Sequence, residues 1–421
     1  MNKVTSFFYI FLFVIAPNFA HSDALYVASN KVESNTIVAF KQLSNGQLKP
    51  IGEFKTGGKG TGDLEIPALK KDVTHPLMDG VDPLISAYGI YKTDDDKYVL
   101  VVNAGSSSIS AFKVESDYSL TLTSTANTRG KFPISIASKS KAVYVASVGK
   151  DNMNGSIEGF NIDANGKLSA LSDMGFIDLK ARPSSIAFTS SGDHLVVSEL
   201  VTGKIKSYKV ENGKLASLEP TSTIPSPSGD ASRFLPIPVG LAIAQKTSGD
   251  KILVSEARFL TKEGGFRSKG QSTPQSQYSW QTSSTSSYSI DKTGKLDIIS
   301  ADVLTGIDPE NGELANCWVS VSPDNKYLWA ANALSSSLSS YSIGENGELT
   351  LLDQAAYKDA SEMLFFSDMY VSKDGKFLNQ LIGNKGNIAV FKIKEGGALD
   401  LIQIMHSSSL PDIGAYGVIT L

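Results

Sequence analysis

SPDNKYLWAANALSSSLSSYSIGENGEL, residues 322–349, holds one full phrase of a repeat. SPDNK is a tight polar turn. YLWAAN is an apolar run ending in Asn, as a buried strand reads. A serine-rich turn leads into a strand ending at Tyr341, and GENGEL turns the chain again. The phrase recurs on both sides. N-terminal to it stand LYVASN…TIVAFKQLSNGQL (25–48), YVLVVN…SISAFKVESDYSL (98–120), AVYVAS…SIEGFNIDANGKL (142–168), HLVVSE…KIKSYKVENGKL (194–215) and KILVSE…TSSYSIDKTGKL (251–296). FLNQLIG…NIAVFKIKEGGAL (377–399) follows it. Seven copies, most at intervals of roughly 50 residues, predict a radial array of four-stranded sheets. The fold class is all-β: a seven-bladed β-propeller.

Each blade reads as strands A to D from the axis outward. In the fourth, A is expected at 184–189, B at 194–198, C at 204–210 and D at 215–218. The first copy begins at Leu25 with strand B. The last is followed by GAYGVITL (414–421), a strand with no blade of its own. The C-terminal strand is therefore expected to complete blade 1 and close the ring, which removes an exposed edge. Two insertions interrupt the period, Lys55–Ala87 between blades 1 and 2 and Arg258–Thr282 within blade 5. Strand parity puts both on one face, the upper one, as lids over the channel mouth. The glycine-rich run 56–62 lacks the ending of a phosphate-binding loop and reads as a flexible connection.

Residues 1–22 read as a cleavable export signal. Lys3 precedes an unbroken apolar run from Phe7 to Ala16, and Ala20-His21-Ser22 supplies small residues for cleavage. No cysteine follows to carry a lipid anchor, and no later stretch is long and apolar enough to span a membrane. The domains are thus 1–22, signal, and 23–421, one propeller, with periplasmic or secreted localisation. Losing Lys3 and no acid takes the formal charge from −4 to −5, which gives no electrostatic reason to bind nucleic acid. The single cysteine, Cys317, excludes an internal disulfide.

Strands A start, and strands B end, beside the axis at the upper mouth. The B-end position reads as Asn in several blades and as Glu only in blades 4 and 5. Glu199 and Glu256, with Arg182 and Arg258, are therefore the candidate catalytic residues. Paired carboxylates shift one another's pKa, and a nearby guanidinium can hold an oxyanion. Asn103, Asn332, Trp318, His75 and His406 are candidate substrate-binding residues at the same mouth. His194 is expected in a solvated lower turn. Two loop histidines make no metal signature, and no cofactor motif is present, so neither metal nor cofactor is expected.

VVNAGSSSISAFKV (101–114), RPSSIAFTSSGDHLVVSEL (182–200), ILVSEARF (252–259) and NCWVSVSPDNKYLWAANALSSSLSSYSIGENGELTLL (316–352) resemble the seven-bladed lactonase family, which includes bacterial 6-phosphogluconolactonase and fungal carboxymuconate cyclase. The resemblance implies a metal-free site of Arg and Glu at the upper mouth, hydrolysing or forming a small lactone. It also implies a channel histidine at a strand-A start. Blade 3 opens instead with Phe132-Pro133, which leaves His75 or His406 to stand in. Export argues against a phosphorylated cytosolic sugar lactone. The partner is expected to be a small lactone or carboxylate, bound by a monomer. The alternative is a propeller that binds a small molecule, glycan or protein at this mouth without turning it over.

Overall fold

The computed structural model describes residues 23–64, 66, 82–151, 154–172, 175–229, 233–261 and 278–421, with the backbone alone at 259–261 and 278–279. The expected signal, residues 1–22, and His75 lie outside them.

The chain folds as seven antiparallel blades. Their strands A are Val418–Thr420 for blade 1, Ile90–Lys92, Pro133–Lys139, Pro183–Phe188, Ile237–Lys246, Asn316–Val321 and Phe366–Val371. Each contacts the next, and the C-terminal strand touches both Phe366–Val371 and Ile90–Lys92, so the ring is complete. Val418–Thr420 pairs antiparallel with the first strand, Asp23–Ala28, in the register Leu25↔Thr420, Tyr26↔Ile419 and Val27↔Val418. Blade 1 is built from both ends of the chain, as the orphan strand predicted.

The seven aromatics of strand C pack between blades. Phe40, Phe112, Phe160, Tyr208, Tyr288, Tyr341 and Phe391 are all buried to 1% exposure or less. Each stands opposite an apolar strand-B residue, as Phe40 does with Leu25 and Tyr341 with Leu328. Burying each side chain contributes about 1.5–3 kcal/mol. Because each ring lies between two blades, this burial ties neighbours together.

Four local expectations change. The outer strand of blade 4 comes in two pieces, Lys214–Leu215 and Ser222–Pro225, because Pro220, without an N–H, lies in the interruption. The B-end position is defined by pairing with the first residue of strand C. Asn103↔Ser108, Asn332↔Ser337, Glu199↔Lys204 and Glu256↔Ser284 obey it, but blade 7 places Ile382 there, opposite Asn387. Asn is thus the rule in fewer blades than the sequence suggests. The glycine run 56–62 is packed tightly: a side chain at Gly60 would strike the Asn30 carbonyl at 2.1 Å, and Thr56 Oγ1 donates to Asn103 Oδ1 at 2.6 Å. His194 is buried, not solvated, because Gly294 of the next blade lies against its ring.

Both insertions leave from the upper face, where strands A begin and strands B end. Their residues 67–81 and 262–277 lie outside the described set. In blade 5, strand B (Gly249–Ala257) is followed by a small hairpin, Phe259–Thr261 with Tyr278–Trp280.

Deleting residues 414–421 opens two strand edges at the seam of the ring. The truncated protein is expected to aggregate or to lose its single cooperative unfolding transition, followed by circular dichroism and light scattering. A cooperative transition at the full-length temperature would contradict ring closure as the source of stability.

Candidate functional site

Five strands A carry a register break at their upper end. It lies between Pro133 and Ser135, Pro183 and Ser185, Pro238 and Leu241, Asn316 and Trp318, and Phe366 and Met369. A bulge of this kind leaves a residue unpaired and re-aims it. Among the residues so released are Cys317 and Asp368.

Residues 82–88 fill the axis beside these bulges. The Ser86 carbonyl accepts from Trp318 Nε1 at 2.8 Å and from the Tyr416 hydroxyl, and Ser86 Oγ donates to the Ile134 carbonyl at 3.0 Å. The Ala87 N–H donates to Ser185 Oγ at 3.1 Å. Arg182, 1% exposed, donates to the Leu84 carbonyl at 3.0 Å. The first insertion therefore ends as a plug gripped by blades 1, 3, 4 and 6. Every backbone group it buries needs such a partner.

Two carboxyls lie in this plugged region. Asp82 Oδ1 accepts from the Ile85 N–H at 3.0 Å. Asp368 is 5% exposed, and its Oδ2 meets no hydrogen-bond donor. Burial, with the charge of Asp82 added, holds the Asp368 carboxyl well above the usual aspartate range. The same two causes raise the Cys317 thiol, and burial with both aspartates raises the Tyr416 hydroxyl. A carboxyl kept protonated by its surroundings is a candidate acid or base.

The sequence-derived residues divide into separate networks. Glu256 Oε1 accepts from Ser226 Oγ at 2.5 Å and Oε2 from Ser284 Oγ at 2.6 Å, with Arg258 Nη2 at 3.2 Å. Arg258 also meets Asp302 Oδ1 at 2.8 Å, and Arg233 donates to both Asp302 oxygens at 2.8 Å. Glu256 and Arg258 are both fully buried. Burial raises the Glu256 carboxyl against the opposing pull of Arg258. Glu199 belongs elsewhere: Lys206 Nζ, on strand C of its own blade, lies 2.6 Å away and Thr202 Oγ1 donates at 2.5 Å. Arg182 joins the axial plug. The structure thus brings Glu256 to Arg258 and leaves Glu199 and Arg182 in networks of their own.

Other blades carry similar pairs. Glu158 meets Arg129 at 2.9 Å and Glu313 meets Lys358 at 3.0 Å, each carboxylate 2% exposed at its side chain. Holding a buried carboxylate against one cation is therefore a repeated device, and breaking such a pair is costly because it leaves a charge unpaired. Asn103 and Asn332 play a neutral version of that part. Asn103 Nδ2 donates to Ser110 Oγ at 2.8 Å and Asn332 Nδ2 to Ser339 Oγ at 2.8 Å. Trp318 is buried in the plug's grip, edge-on to Phe365 and Tyr416. His406 ends the outermost strand of blade 7, exposed and away from the axis. Among the described residues no cluster of His, Cys, Asp and Glu could hold a metal. No helix among them is long and apolar enough to cross a membrane.

Sequence reasoning gave Asp368 no role and passed over Asp82 inside an insertion. No repeat arithmetic could find Asp82, since only one blade boundary carries that segment.

The family model described as a lactonase, 7-bladed beta-propeller, matches residues 70–176 and 319–411. These segments contain Asp82 and Asp368 and leave out Arg182, Glu199, Glu256 and Arg258. No curated protein sequence matches. Among solved structures, the periplasmic gluconolactonase of Pseudomonas aeruginosa superposes with a TM-score of 0.64 at 14% identity, covering 95% of this chain and 99% of that one. A candidate 6-phosphogluconolactonase from Bacteroides fragilis superposes with a TM-score of 0.63 at 16% identity, covering 96% and 99%. A protein from Lactobacillus plantarum gives 0.63 at 16% identity, covering 95% and 99%. These likenesses show the fold.

A carboxyl raised in the folded state binds its proton more tightly there than in the unfolded chain. Its contribution to stability is full below the ordinary aspartate pKa and is lost as pH rises through the folded value. Asp368→Asn removes this dependence. Relative to wild type, the variant is expected to gain stability as pH rises above about 4, and the gap should close below it. Denaturant midpoints measured across pH would show this; a gap independent of pH would contradict the raised carboxyl.

Proposed function

We propose that this seven-bladed propeller of the lactonase type acts on a small, unphosphorylated lactone in its upper channel, with Asp368, Asp82 and Arg182 as the working groups. The observation that carries the reading is the Asp368 carboxyl, buried beside the axis with one oxygen unpartnered and its pKa raised. In hydrolysis, Asp82 takes a proton from water, the hydroxide adds to the lactone carbonyl, and Arg182 stabilises the developing oxyanion. The ring C–O bond then breaks as Asp368 gives its proton to the departing oxygen. Run in reverse, the same groups close a hydroxy acid into a lactone. Residues 84–87 occupy the axis, so substrate enters only as those residues shift, with Asp82 retained beside Asp368. Glu199 and Glu256 hold blades in this reading.

Asp368→Asn keeps the shape and removes the titrating group. It is expected to lower lactone turnover by about 10²–10⁴-fold at unchanged or raised thermal stability near neutral pH. Glu199→Gln and Glu256→Gln should instead lower stability and spare the rate of the folded fraction. Unchanged turnover in Asp368→Asn would overturn the assignment. The filled axis itself favours a second reading, a propeller that binds without turning over. Wild-type inactivity across a panel of sugar and aliphatic lactones would select it.

We further propose that the protein works outside the cytoplasm. The charged, apolar and small-residue sequence of 1–22 supports this. Cell fractionation and N-terminal sequencing are expected to find the mature chain starting near His21–Asp23 in the periplasm or medium. An intact Met1 in the cytoplasm would contradict it.

A further inference from the structure

The lower half of the channel is open. Below the plug, the lower ends of the strands A enclose a cavity of about 400 Å³, within the range of small-molecule sites. Tyr88 roofs it, its hydroxyl reaching across the axis to donate to the Leu241 carbonyl. Tyr88 also stands edge-on to Tyr91, ring centroids 5.6 Å apart. Tyr91, Tyr370, Phe188 and Met369 form the wall, rings and a thioether that suit a flat apolar body.

Three hydroxyls in this wall lack partners. Ser138 is 3% exposed, and its Oγ has no hydrogen bond. The Tyr91 and Tyr370 hydroxyls likewise meet no protein partner among the described residues. Burial and Asp94 push the Tyr91 hydroxyl up to about 12, so it remains a donor at neutral pH. Three lysines stand at the rim, Lys92, Lys139 and Lys373. Lys92 and Lys373 share one carboxylate, Asp96, at 2.8 and 2.7 Å, and Lys139 meets Asp94 only at 3.5 Å. Asp23 accepts the Lys373 backbone N–H at 3.2 Å. Under-paired cations and idle donors around an aromatic wall call for one kind of occupant.

We propose that the lower channel is a binding site for a small planar aromatic carboxylate, separate from the plugged upper channel. The ring lies among Tyr91, Tyr370, Phe188 and Met369, below Tyr88. The carboxylate faces the rim, where Lys92, Lys139 and Lys373 meet it.

The test is calorimetric titration of the mature protein with 2-naphthoate, beside its neutral analogue 2-naphthalenemethanol. One molecule of 2-naphthoate is expected to bind per chain. The double variant Lys139→Ala, Lys373→Ala changes only rim side chains. It should weaken 2-naphthoate about two- to fivefold per lysine and leave the neutral analogue unchanged. Ser320→Trp, pointing bulk at the lower wall, should abolish binding of both. Asp368→Asn should leave both affinities unaltered, which separates this site from the proposed lactone chemistry. Absence of saturable binding at millimolar 2-naphthoate would overturn the proposal. So would equal affinity in the lysine double variant, or binding that persists in folded Ser320→Trp.

Discussion

Pairing of Val418–Thr420 with Asp23–Ala28 is the constraint on which the rest depends. Without it, blade 1 would have no inner strand and blades 1 and 7 would share no wall. Closure makes each strand A the neighbour of two others, and so makes a channel at all. A single thiol means that no internal disulfide can take over this task. Hydrogen bonds at one seam and aromatic burial at every blade junction do the work instead.

A ring of seven blades leaves an axial space that must be filled, lined with polar groups or used. Here it is filled at one depth and open at another. Above, residues 82–88 enter the axis, and Ser86, Ala87 and Leu84 spend their backbone groups on Trp318, Tyr416, Ser185 and Arg182. At the middle, Tyr88 spans the channel. Below, the walls part into a cavity. The insertion is therefore interior structure as much as surface loop, and it carries Asp82 to the neighbourhood of Asp368. Two carboxyls in a desolvated space favour protonation of one of them, and Asp368 is the one held up by burial and the Asp82 charge.

The ion pairs at the upper ends of the blades answer a different need. Strand B ends between two neighbouring sheets, where a polar side chain must find its partner in protein. Asn103 and Asn332 find serines on strand C, Glu199 finds Lys206, and Glu256 finds serines and Arg258. The chemistry differs by blade because the cation available differs. Carboxylates at equivalent positions in adjacent blades thus sit in separate networks: Glu199 turns to Lys206 on its own strand C, and Glu256 is held by Ser226, Ser284 and Arg258.

The blade count, the strand order within each blade, the recurring aromatic of strand C and the closure by the last strand were legible in the repeat, though strand C runs two or three residues beyond the aromatic. These follow from period and alternation, which local geometry reads directly. The sequence by itself placed Glu199, Glu256, Asn103, Asn332, Arg182 and Trp318 correctly at the upper ends of their strands. It could not say which way those side chains turn. Only the tertiary structure decided that, through the partner each met in three dimensions: Lys206 for Glu199, Leu84 for Arg182, Ser86 for Trp318. The bulges that free Cys317 and Asp368 shift register without a change of residue type that marks them. Asp82 lies outside every repeat. Its place beside Asp368 depends on where the chain returns from an insertion, and no periodic pattern encodes that return.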